Sequence, residues 1–102
     1  MNWDLHRERL SEGKSVQFRP KGNSMKPRIN SGELVTVEPV DAVEIEDAVF
    51  CKVGGNYYVH LIKAIKEDRY LIGNNRGGTN GWCSRANIFG RVTKVELSLF
   101  LS

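Results

Sequence analysis

From residue 15 onward the chain is built of short apolar runs separated by Gly, Pro, Asn and Asp, the pattern of strands joined by turns. Val16 and Phe18 alternate with polar neighbours in residues 15–19. The same reading predicts strands over residues 33–38, 47–53, 57–65, 69–72 and 88–97. Gly54-Gly55-Asn56 is a hairpin signal between the third and fourth of these six strands, and Gly90 marks a bulge in the last. In residues 73–81 every non-glycine side chain is polar or charged, so this segment is expected to be an exposed loop. One helix is predicted at the start. Asn2 caps it, Trp3, Leu5 and Leu10 supply apolar contacts, and Gly13 ends it. The expectation is a mostly β fold of short, mainly antiparallel strands with one short N-terminal helix, forming one domain over residues 1–102.

Composition supports this picture. Ten Val, six Ile and three Thr stand against four Ala, which favours strands over helices. Leu, Ile, Val and Phe together number 28 of 102 residues, more than disordered chains carry and enough for one small core. No stretch approaches the roughly 20 apolar residues of a membrane helix. No charged-then-apolar segment opens the chain. Neither a membrane anchor nor a signal peptide is therefore expected.

Cys51 and Cys83 are expected to be reduced structural thiols, which implies a cytoplasmic location. With His6 and His60 they show no C-x-x-C or H-x-x-x-H spacing, so no metal and no cofactor is expected. Fifteen basic residues against 12 acidic ones leave a net charge of +3, with a pI near 9.0. A small basic barrel stacking bases on Trp82, Tyr57 and Tyr58 is one reading of that balance. The basic residues are scattered, however, and nucleic acid is not the expected partner. The glycine-rich segment 73–81 lacks the Lys-Ser/Thr end of a phosphate cradle.

The chemistry concentrates in Gly22-Asn23-Ser24-Met25-Lys26-Pro27-Arg28-Ile29-Asn30-Ser31-Gly32-Glu33-Leu34-Val35-Thr36-Val37. Gly22 permits close backbone approach beside Ser24, Met25 places an apolar side chain next to it, and Pro27 stiffens the exit. A serine fixed on such a turn suits a nucleophile, although a turn serine can equally cap its own turn. The ordered string G-x-S-M-x-P-x-I-x-x-G-E-x-V-x-V resembles the nucleophile box of the LexA and signal peptidase superfamily of serine peptidases. Glu33 stands where that superfamily usually has Asp. The resemblance implies a LexA/signal peptidase-like, β-barrel-like fold, with Ser24 as nucleophile and Gly22, Ser24 and Met25 at the oxyanion and substrate.

Residues 46–62 are similar to the superfamily's second box, a strand, a hairpin and a strand bearing the general base. LexA-type members carry Lys at that position, and some signal peptidases carry His. Here His60 falls on it, with Lys63 as the alternative base. Three residues along a strand reverse the face, so only one of the two can meet Ser24. The exchange matters for pH. A lysine at its reference pKa is neutral in only about one molecule in 2,500 at pH 7, whereas a histidine is neutral in roughly three-quarters.

The third region, residues 73–92, is similar to a Gly-Asp-Asn segment and a closing strand. In His-type members an Asp in this region orients the base. Asn74 replaces the Asp after Gly73, and no acid lies between Ile72 and Val95. Asn80 or a backbone carbonyl is then the expected holder of the imidazole.

The resemblance spans Val16 to Leu97 and implies a soluble serine endopeptidase with a Ser24–His60 dyad acting on a peptide or protein substrate. The alternative is a catalytically silent module that binds a peptide along a sheet edge. Only 23 residues precede Ser24, and they contain neither an Ala-Gly nor a Cys-Gly pair. Cleavage of a separate partner is therefore expected rather than self-cleavage. Residues 95–102 alternate and end apolar, and the resemblance implies a homodimer paired through this C-terminal strand.

Overall fold

A computed structural model describes residues 2–97. The helix α1 (Trp3–Ser11) starts where the capping signal places it: Asn2 Oδ1 accepts from Leu5 N–H at 3.0 Å. Asp4 in its first turn and Arg9 in its last complement the helix dipole. The helix closes at Gly13, whose φ of 85° suits glycine and whose N–H returns to Leu10 O at 3.0 Å.

Seven strands follow among the described residues: β1 (Val16–Phe18), β2 (Leu34–Glu38), β3 (Ala48–Val53), β4 (Asn56–Lys66), β5 (Arg69–Gly73), β6 (Thr79–Ser84) and β7 (Ile88–Glu96). They form one sheet in the order β1-β2-β7-β3-β4-β5-β6, and every pairing is antiparallel. The β3–β4 hairpin turns through Gly54 and Gly55, both with positive φ, as a tight two-residue hairpin requires. The expected mostly β, antiparallel fold with one N-terminal helix is the fold observed.

Alternation along the strands loads both faces of the sheet. On one side, Val16, Phe18, Val35, Val37, Phe50, Val59 and Leu61 form a core capped by Leu10 and Trp3 of α1. On the other, Val49, Cys51, Ile62, Ile72, Cys83 and Ile88 form a second core. Phe50 is fully buried and packs edge-to-face on Phe18 and Phe89. Truncating it to Ala would cost about 3–5 kcal/mol. Cys51 and Cys83 are buried free thiols, and burial raises both pKa values.

Two expectations need correction. Residues 79–81 are not loop: they open β6, and only residues 74–78 form the turn. Thr-Asn-Gly reads as a turn by composition, but pairing with β5 and burial of Cys83 pull the segment into the sheet. The bulge predicted at Gly90 has Phe89 as its extra residue, because Phe50 pairs with Gly90 and Cys51 with Ile88. Gly90 is needed for a different reason: a Cβ there would lie 2.7 Å from Glu38 O. Of the expected C-terminal pairing strand, residues 98–102 lie outside the described residues. No helix among the described residues is long and apolar enough to cross a membrane.

Candidate active site

Ser24 lies in an irregular segment between β1 and β2, fixed by hydrogen bonds and two apolar anchors. Met25 and Ile29 drop into the first core, at 5% and 3% exposure. Ile29 N–H closes the turn onto Met25 O at 2.9 Å. Gly32 N–H bonds Pro20 O at 3.1 Å, and Gly22 N–H bonds Ser31 Oγ at 3.1 Å, drawing the two ends of the segment together. Glu33 caps the second turn by accepting from Asn30 N–H at 2.6 Å.

The 74–78 turn clamps this segment from outside. Asn75 N–H donates to Ser24 O at 2.8 Å, and Asn75 Nδ2 donates to Lys26 O at 3.1 Å. The turn is itself braced by Asn74 Oδ1, which accepts from Arg76 N–H and Gly78 N–H at 2.8 and 2.9 Å. Asn74 is thus spent on backbone geometry. Gly73 is required beneath it, since a Cβ there would meet Gly78 O at 2.5 Å. The resemblance marks Asn75 only as part of a Gly-Asp-Asn-like segment and assigns it no role.

His60 is carried at mid-strand on β4, paired with Val49 of β3, and is 8% exposed. Its Nε2 lies 3.0 Å from Ser24 Oγ. Its Nδ1 lies 2.6 Å from Asn80 Oδ1. A carboxamide oxygen cannot donate, so Nδ1 carries the proton and donates to Asn80. Nε2 is left with a lone pair to accept from the Ser24 hydroxyl. Burial lowers the His60 pKa below its ordinary value, and the Asn80 hydrogen bond acts in the opposite sense.

Asn80 owes its aim to a bulge. Ile72 pairs with Gly81 and Gly73 with Thr79, so Asn80 is the extra residue in β6. Freed from the alternation of its strand, its side chain turns toward His60. Lys63 occupies a second bulge, between the pairs Ile62–Ile72 and Ala64–Leu71. Its stem runs over Gly73, with Cγ and Cε 3.0 and 3.2 Å from where a Cβ of residue 73 would stand. Ser24 therefore meets His60, and Lys63 packs elsewhere.

A cleft of about 370 Å³ opens beside the pair. Trp3, Met25, Ile29, Tyr57, Tyr58 and Val59 give it apolar walls, and Pro20, Lys21, Gly22 and Asn30 complete its lining beside the pair. Gly22 and Met25 thus border the cleft. The Gly22 N–H, however, is committed to Ser31. Trp82, one of the aromatics weighed for base stacking, is 40% exposed on β6, outside this cleft.

Among curated proteins no match is found. A protein-family model described as Peptidase S24-like matches residues 4–93. The match runs from the first turn of α1 into β7 and takes in the Ser24 segment, the His60 strand and the Asn80 bulge; with most of its length covered, the chain belongs to the Peptidase S24-like family.

Proposed function

We propose that this peptidase-type domain is a serine endopeptidase in which Ser24 is the nucleophile and His60 the general base. The observation that carries the reading is the relay Ser24 Oγ–His60 Nε2–Asn80 Oδ1, with distances of 3.0 and 2.6 Å, at the floor of an apolar-walled cleft. Ser24 Oγ attacks a substrate carbonyl carbon as its proton passes to Nε2, and the carbonyl π pair moves to oxygen. The oxyanion is held by the Ser24 N–H, because the Gly22 N–H is already engaged. As the tetrahedral intermediate collapses, the C–N bond breaks and Nε2–H protonates the leaving amine. Water then attacks the acyl-serine ester, gives its proton to Nε2, and releases the acid with Ser24 restored.

A lowered His60 pKa favours this chemistry at neutral pH, since the base must start neutral. Asn80 fixes the productive tautomer but brings no negative charge to the imidazolium. That deficit favours a second reading, a peptide-binding module without turnover. The two separate on one experiment. Purified wild-type chain, but not Ser24→Ala, should be labelled at Ser24 by a serine-directed acylating probe and should cut a peptide library. A chain that binds peptides yet neither labels nor cuts is the silent module. A cytoplasmic location is part of this reading, supported by two buried free thiols.

A further inference from the structure

His60 uses both ring nitrogens in the plane of the imidazole, one toward Ser24 and one toward Asn80. One face of the ring is covered by Tyr58, two residues earlier on β4 and therefore on the same side of the strand. The ring centroids lie 4.9 Å apart with planes inclined by 26°, a stacked arrangement. Tyr58 lines the cleft and also packs against the second core, which anchors the ring to the sheet.

The surroundings make this contact matter. When Ser24 surrenders its proton, His60 becomes a cation in a site that is 8% exposed. The neighbour at Nδ1 is a neutral amide. The charged residue lining the cleft is Lys21, of the wrong sign. On β4, Lys63 lies over Gly73; α1 contributes neutral Trp3 to the cleft and β6 contributes Asn80. The negative face of an aromatic ring attracts a cation, more strongly where water is excluded.

We propose that Tyr58 is a positioning residue of the reaction: its ring holds the imidazole in line between Ser24 and Asn80 and stabilises the imidazolium that forms there. The proposal rests on His60 being the base. The role belongs to the ring and not to the hydroxyl.

The test compares Tyr58→Leu with Tyr58→Phe. In full-length chain carrying Ser24→Ala, His60 is titrated by NMR, with His6 as the internal control. In the chain with Ser24 intact, kcat and KM are measured on a cleaved peptide. Loss of the ring should lower the His60 protonation constant about tenfold and kcat by about ten- to thirty-fold, the equivalent of one partly desolvated cation–π contact. Tyr58→Phe should restore both. Water admitted by the smaller Leu side chain pulls the titration the opposite way, so the sign decides. A protonation constant that rises or stays level in Tyr58→Leu, or a Tyr58→Phe variant as impaired as Tyr58→Leu, overturns the proposal. If Tyr58→Leu does not fold, Tyr58→Met carries the same comparison. A chain that never cleaves sinks the peptidase reading, and the titration still judges the stack.

Discussion

Ser24 is held by a segment without strand pairing, residues 19–33, whereas His60 is held by the middle of an eleven-residue strand paired on β3. The first depends on Met25 and Ile29 in the core, a few turn hydrogen bonds and the Asn75 clamp. The second is fixed by a ladder of backbone bonds and by buried neighbours, Val59 and Leu61 on one face and Ile62 on the other. Local opening costs least where pairing is sparse. The base is therefore set by the global fold, and the nucleophile by contacts that can be loosened one at a time while the sheet stays intact.

The largest effect comes from removing the base itself. His60→Ala should lower kcat by about 10⁴-fold, as for a relay member, while the chain stays folded because the backbone ladder survives. The pH profile of the unaltered chain sharpens the assignment. Burial lowers the His60 pKa, so kcat/KM should climb with pH, reach half its plateau below about 6.5, and be flat at neutrality. The stability consequence has a definite sign. Below about pH 6.5 the unfolded chain takes up protons that folded His60 resists, so stability falls as pH drops from there toward the folded pKa. His6, lowered mainly by burial and then by Arg9, adds in the same direction. Urea midpoints at pH 7.5 and 5.5 would show it, and an unchanged midpoint would contradict the buried neutral imidazole.

That contrast also explains what could be seen in the sequence. Ser24 and His60 stand out through the resemblance of their two boxes to the LexA and signal peptidase superfamily; strand alternation adds only that His60 and Lys63, three residues apart, face opposite sides, and Gly22, Met25 and Pro27 give the Ser24 turn its local sense. Asn80 is a candidate because the resemblance implies an orienting Asp in this region and no acid lies between Ile72 and Val95, but its mode of delivery is not legible. Bulges break the alternation on which strand reading depends, and Asn80, Lys63 and Phe89 all sit at one. Segment 79–81 reads as loop by its polar, glycine-containing composition, which hides its pairing with β5. The role of Asn75 is illegible because it consists of long-range contacts, a side-chain bond to Lys26 O 49 positions away and a backbone bond to Ser24 O that any residue but proline supplies.

Asn80 should rank second. Asn80→Ala leaves Nδ1 without an acceptor and frees the imidazole to take the wrong tautomer, a loss of about 10²-fold in kcat. Asn80→Asp supplies the charge that the amide lacks. A carboxylate at this distance should raise the His60 pKa by about 1–3 units, moving the acid limb of the kcat/KM profile upward by that amount. If Asn80→Asp leaves the limb where it was, the 2.6 Å contact does not govern the base.

The nucleophile segment should respond to its clamp. Asn75→Ala removes the bond from Nδ2 to Lys26 O but keeps the backbone bond to Ser24 O. A stability loss of about 1 kcal/mol is expected, with kcat lowered about tenfold because a small displacement of Oγ spoils its line to Nε2. A surface substitution of equal stability cost at the far end of β4, such as Ile65→Ala, should leave kcat unchanged. Equal losses in both would erase the distinction between the two regions.

The smallest effect is expected at Lys63, and its smallness is informative. As rival base, Lys63 would be indispensable: its loss would match that of His60, and the pH profile would report a lysine depressed from a reference near 10.4. As placed, its stem covers Gly73 at the bulge of β4 and its ammonium takes no part in the relay. Lys63→Met keeps the apolar stem and removes the charge, so kcat should change by no more than about twofold and stability by less than about 0.5 kcal/mol. A drop of a hundredfold or more in Lys63→Met, with His60→Ala still active, would transfer the base from the paired stretch of β4 to its bulge and reverse the roles given to the two side chains.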